Sequence, residues 1–201
     1  MKTIDTLDAL EDLYGPSSKA SQVKVVERLT PAYRDWIAAS RFCILSTVGP
    51  DGTDGSPRGD DGPVVTVLDD QHFALPDWRG NNRIDSLRNI VRDPRVSVMF
   101  MVPGADIVVR VNGRAKLTTD EALCGRFDRD GNHPRSVTIV RVEEAYFQCA
   151  RAIARARLWQ GDDLRKDLPT AGDMLRDASS GSYDGAAFDK DWADPIAKIV
   201  W

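Results

Sequence analysis

Between Phe42 and Phe147 the chain is a succession of short apolar runs of strand length, and only one segment inside that span has convincing helical spacing. The runs fall at 42–48, 63–68, 71–75, 95–102, 107–117 and 136–147, separated by turn-forming Gly, Pro, Asp and Asn. Six strands in so short a stretch point to a compact barrel. The single internal helix, 81–92, followed by a short one near 119–126, fits an α+β barrel better than a regular βαβ alternation. A further helix is expected at 149–156.

The flanks read differently. Over residues 1–40, Leu7, Leu10 and Leu13 recur at three-residue spacing up to Gly15-Pro16, and Val25, Val26 and Leu29 lead into a second helix opened by Thr30-Pro31. We therefore divide the chain into a helical extension (1–40), a barrel domain (41–159) and a C-terminal arm (160–201). The arm is polar, with Tyr183, Phe188, Trp192 and Trp201 spaced along it, and such aromatic residues are best explained by packing on the barrel or on a dimer partner.

The net charge of −4 argues against a nucleic-acid partner. No apolar run is long enough for a membrane span, and the N-terminus carries acids where a signal peptide would be basic. Three cysteines, far apart and odd in number, fit a reduced, cytoplasmic protein. The two histidines, His72 and His133, have no acidic partner at ligand spacing, so no metal site is expected.

Chemistry concentrates where the strand ending at Leu75 breaks at Gly80 and restarts as a helix. Ile84, Leu87 and Val91 define its apolar spacing, Asn81 or Asn82 can cap it, and Asp93 before Pro94 ends it. Five arginines lie between 79 and 95. Unpaired N–H groups at a helix start, with Arg79 and Arg83 beside them, suit a phosphate; the alternative is an ordinary capped surface helix. Ser56-Pro-Arg58-Gly-Asp60 sets a second cation on a rigid turn. If 63–68 and 71–75 form a hairpin, Arg58 lies at the same end as 77–83; otherwise it pairs with Asp60 or Asp61. On the strand 107–117, Gly113 marks a bulge or close backbone approach. Arg110 and Asn112 share a face there, and Arg110 either joins a cross-strand ion pair or lines a pocket.

These segments resemble the pyridoxamine 5'-phosphate oxidase-like FMN-binding split-barrel family, in particular its bacterial pyridoxamine phosphate oxidase-related branch. The resemblance rests on FCILSTV (42–48), SPRGD (56–60), DWRGNNRIDSLRNI (77–90), RVNGRA (110–115) and YFQCARAIARARLW (146–159). It implies a six-stranded antiparallel split barrel with flanking helices, assembled as a homodimer with FMN sites at the interface. It further implies that Arg58 and Arg83 hold the FMN phosphate, with Asn82, Ser86 and the start of the helix completing the shell. Trp78, Arg79 and Gly80 would approach the ribityl chain or ring edge, Arg110 or Asn112 would sit nearby, and Arg157 and Trp159 of a second copy would reach the isoalloxazine. Trp159 could equally be a core residue.

The implied activity is hydride transfer through FMN by an oxidoreductase of unknown substrate. The chain lacks the arginine–aliphatic–histidine signature that vitamin B6 oxidases carry near the C-terminus, having Arg157-Leu-Trp159 with no histidine after it. Gln148 and Arg151 stand where the closer branch often has histidine and lysine. No general base is evident. The competing reading is a flavin carrier or sensor without turnover, or a split barrel holding haem or deazaflavin.

Overall fold

The computed structural model describes residues 1–129, 131–161, 163–165 and 168–193. Trp201 and the side chain of Trp192 lie outside what is described. Three helices lead in: α1 (Leu7–Tyr14), α2 (Lys19–Val23) and α3 (Pro31–Ala39). Each is opened by a hydroxyl side chain, from Thr6, Ser18 and Thr30, accepting a backbone N–H of the first turn. Val25 and Val26 are not helical; Val26 instead makes an isolated bridge to Ala145.

The sheet has seven strands: β1 (Phe42–Gly49), β2 (Gly52–Gly59), β3 (Thr66–Val67), β4 (His72–Asp77), β5 (Arg95–Met101), β6 (Val108–Thr118) and β7 (Ser136–Gln148). Their order is β2-β1-β5-β6-β7-β4-β3, antiparallel throughout. Helices α4 (Asp85–Arg92) and α5 (Glu121–Gly125) interrupt it, and α6 (Arg151–Ala156), α7 (Ala171–Ala178) and α8 (Gly185–Ala193) follow. The fold is thus an α+β split barrel with flanking helices, one strand richer than the apolar runs indicate.

The extra strand is β2. Its sequence, GTDGSPRG, has no apolar alternation, and it reads as a turn because nothing in it seeks the core. Register with β1 makes it a strand nonetheless, from Gly49↔Gly52 to Phe42↔Gly59. Pro57 is tolerated because β2 is an edge strand. Asp54, Ser56 and Arg58 are half-buried while their neighbours are exposed. Arg58 therefore projects from a strand, not from the turn expected of it. Conversely, the run 63–68 pairs only through Thr66 and Val67, although the hairpin with β4 forms as expected.

The sheet is rolled. Five strand spacings separate β2 from β4, about 24 Å if the sheet were flat. Yet Arg58 Nη2 lies 3.4 Å from Asp77 Oδ1. Inside the roll, Phe73 of β4 meets Phe100 of β5 edge-on, ring centroids 5.4 Å apart. Leu45, Val98, Val111 and Val140 surround them, and Leu29 and Ile37 of the N-terminal segment complete the same core. Cys43 is fully buried, and that burial pushes its thiol up to about 12 against the opposing pull of Arg58. It packs as a hydrophobe.

Gly113 supplies the expected close approach. The β6–β7 register shifts between Asn112 and Gly113, and a Cβ at Gly113 would stand 2.1 Å from the carbonyl oxygen of Arg141. Beyond the barrel, α7 and α8 cross at Gly172 and Gly185, where a Cβ on either would lie 2.1 Å from the other's carbonyl oxygen.

Candidate functional site: an arginine-lined groove at the split

Where the rolled sheet brings β2 beside the end of β4, a groove of about 360 Å³ opens toward the start of α4. Arg58, Trp78, Arg79, Gly80, Asn82, Arg83 and Ser86 all line it. The sequence reading places Arg58 and 77–83 on separate elements converging at one end, and the roll of the sheet brings them together there.

Helix α4 starts at Asp85, four residues later than its spacing indicates, and it is turned about its axis. Ser86 and Ile90 are its buried residues, whereas Ile84 and Val91 are exposed. The reason is polar packing. Asn89 donates to Thr47 Oγ1 at 3.1 Å, and Ser86 donates its hydroxyl to Asp54, so the helix docks through hydrogen bonds that an apolar periodicity does not register. Asn81 caps the turn before the helix by accepting from the Arg83 N–H at 3.0 Å, and no side chain caps α4 itself. The first-turn residues Asp85, Ser86 and Leu87 line the groove. A helix start without a side-chain cap is a ready anion site.

Backbone strain helps to aim it. Ile84, at the position preceding α4, has φ 51°, and Asn82 has φ 61°. Asn tolerates the left-handed region; a β-branched residue does so only at a cost of about 1–2 kcal/mol. Ile84→Gly is therefore expected to stabilise the protein by about 0.5–1 kcal/mol, after allowing for the entropy glycine adds to the unfolded chain. A thermal melt checks this: a rise of about 1–4 °C is expected, and a fall would show that Ile84 packing outweighs its strain.

The groove holds four arginines, Arg58, Arg79, Arg83 and Arg135, against three aspartates, Asp54, Asp77 and Asp85. Arg58 and Asp77 are the most enclosed pair, with side chains 25% and 18% exposed. Burial raises the Asp77 carboxyl above its ordinary range, opposed by Arg58 and Arg135. Because the folded form holds this proton more tightly than the unfolded chain, Asp77 subtracts stability as pH rises through the carboxylate range. Arg83 is 80% exposed and already pairs with Asp85. Asp60, one alternative partner for Arg58, pairs instead with Arg129 at 3.1 Å.

Two charged groove residues escape the sequence reading. Arg135 donates to Asn82 Oδ1 at 2.8 Å. It stands just before Ser136, which pairs with Asp77, so the β4–β7 register is the signal that would have found it. Asp54 was hidden with the rest of β2.

Four expected residues stand elsewhere in the chain. Arg110 forms neither a cross-strand ion pair nor part of the groove. It stacks on its register partner Tyr146, 5.4 Å from the ring centroid, with a buried Nε that has no hydrogen-bond partner among the described residues. Asn112 donates to Glu144 at 2.6 Å. Arg157 bonds Gln160, and Trp159 Nε1 donates to the Ala105 carbonyl at 2.9 Å. Each histidine does have an aspartate neighbour, His72 with Asp69 and His133 with Asp128, contrary to the spacing argument. Among the described residues no group of three potential ligands could hold a metal ion.

Comparison with known proteins matches residues 29–149 to the pyridoxamine 5'-phosphate oxidase family. No curated protein matches significantly. Similar solved structures include HupZ of Group A Streptococcus, 22% identical over 58% of this chain and 91% of that one, TM-score 0.47. A provisionally named pyridoxamine 5'-phosphate oxidase of Lactobacillus delbrueckii is 22% identical over 60% and 95%, TM-score 0.48. An FMN-binding protein of Syntrophomonas wolfei is 12% identical over 58% and 83%, TM-score 0.46.

Proposed function

The chain belongs to the pyridoxamine 5'-phosphate oxidase family, and on that footing we propose that it is an FMN-binding oxidoreductase whose groove at the split holds the cofactor phosphate. The observation that carries this reading is the convergence of four arginines on a helix start without a side-chain cap. Arg58, backed by Asp77, is the enclosed cation and would grip the phosphate as a planar fork. The first-turn amides of α4 would complete the shell. Ser86 already donates to Asp54, so its hydroxyl positions that wall of the groove. Beside the phosphate end lies a smaller hollow of about 190 Å³ that shares Arg58 and Trp78–Gly80 and adds Val64, Leu75 and Pro76. Its apolar wall suits the flavin side of the molecule.

When bound, FMN supplies the hydride chemistry, and the protein supplies position and electrostatics. A homodimer fits the outer face of the sheet, where Ile44, Met99, Arg110 and Tyr146 form a half-buried cross-strand row and the Arg110 Nε awaits an acceptor. In such a dimer Arg157 and Trp159 of the second copy would approach the ring. Three free cysteines fit a reducing, cytoplasmic setting, and among the described residues no helix is long and apolar enough to cross a membrane.

Because the recognised group is the phosphate, riboflavin is expected to bind at least about tenfold more weakly than FMN, the loss of one or more charge-assisted hydrogen bonds. Equal affinity would remove the phosphate groove from the account. Anaerobic mixing of the FMN-loaded protein with NADH or NADPH tests the catalytic part: bleaching of the flavin band followed by reoxidation with turnover is the expected result, whereas a flavin that exchanges no electrons would make the protein a carrier.

A further inference from the structure

A second cationic feature lies away from the groove. Arg95, Arg114, Arg141 and His72 are direct register partners across four adjacent strands, β5, β6, β7 and β4. Directly opposed residues share a face with Cβ atoms about 5 Å apart, and like charges in that relation destabilise a sheet. The row lies on the outer face; Arg95, Arg141 and His72 each pair with a carboxylate, whereas Arg114, whose charge reaches Asp93, makes no ion pair among the described residues. Lys116, two residues along β6, adds a further cation with none. His72, Arg114, Lys116 and Arg141, with Ala115 and Ile139, line a hollow of about 300 Å³ that contains no acidic residue.

We propose that this hollow binds a small anion carrying two phosphoryl groups. Arg114 stands opposite Arg141 and is able to take one phosphoryl group bidentately, Arg141 offers the second the part of its guanidinium that Glu143 does not occupy, and Lys116 adds a point charge beside them. The patch is bounded. Asp93 pairs with Arg95 at one end of the row, Asp69 pairs with His72 at the other, and Glu143 pairs with Arg141 along β7. A cationic strip closed by acids on these sides fits a compact ligand and would repel a continuing nucleic-acid backbone. The site is also separate from the flavin groove. His72 and Asp77 end the six-residue β4, about 17 Å apart, so one cofactor phosphate cannot serve both. Occupancy of this hollow is therefore independent of the flavin reading.

The test is calorimetric titration of the full-length protein, as purified and after incubation with FMN, with pyrophosphate at low ionic strength. Saturable binding of one pyrophosphate per chain is expected, weakened at least tenfold by Arg114→Gln and by Lys116→Gln, with the flavin spectrum unchanged. Either variant serves if the other fails to fold. Absence of saturable binding, or an affinity unaltered in both variants, would overturn the proposal. So would a short RNA duplex that displaces pyrophosphate and binds more tightly through the same residues.

Discussion

Arg58→Ala is expected to raise the dissociation constant for FMN about 10- to 100-fold, the largest effect of any single groove arginine. Hydrogen bonds to charged groups are worth about 1.5–3 kcal/mol, and the Arg58 side chain is only 25% exposed, so solvent does little to replace it. Its removal also leaves Asp77 half-enclosed without its 3.4 Å partner, facing the incoming phosphate with Arg135 as the remaining cation. The carboxyl then rises further. Arg83→Ala should act in the same direction but more weakly, because that side chain is 80% exposed and already committed to Asp85. Fluorescence titration of the two variants checks the ranking. An Arg83 effect equal to or larger than that of Arg58 would mean that the phosphate sits outside the split, against the helix alone.

The second large effect is on folding. Gly113→Ala places a Cβ 2.1 Å from the Arg141 carbonyl oxygen, and the obstructing atom is backbone, so no side-chain rotation relieves the contact. The β6–β7 ladder must part at the bulge, in the longest strand pair of the sheet. Overpacking of this kind costs about 3 kcal/mol or more, which in a chain of this size lowers the melting temperature by about 6–12 °C. A change of no more than 2 °C would show that the two strands separate there at little cost.

What the sequence disclosed depended on which physical signal each segment carries. The apolar runs of β1, β5, β6 and β7 announce themselves because alternate residues such as Val109 and Val111 must enter the core. Strand β2 is silent because its inward residues, Asp54, Ser56 and Arg58, serve the groove, and polar residues with glycines between them look like a turn. The same cause displaced α4. Beside Ile90, its inward face is made by Ser86 and the half-buried Asn89 through hydrogen bonds to Asp54 and Thr47, so the exposed Ile84 and Val91 gave a misleading periodicity. Gly113 was legible because a glycine weakens a strand interior, and a strand carries that cost where a bulge or a close backbone approach requires it. Arg135 was not, since only the pairing of β4 with β7 carries it to Asn82. Arg110 and Asn112 share a face of their strand by spacing and join the site only through the family resemblance, from which Arg157 and Trp159 also come, and within one chain all four stand on other surfaces.

The groove between β2 and α4 is proposed to hold a flavin phosphate. Denaturing freshly purified protein, recording the absorption spectrum of the released small molecule and measuring its mass tests this directly. Flavin bands with the mass of FMN are the expected result. A colourless protein that also fails to bind added FMN would contradict the account and leave the four arginines to another anion.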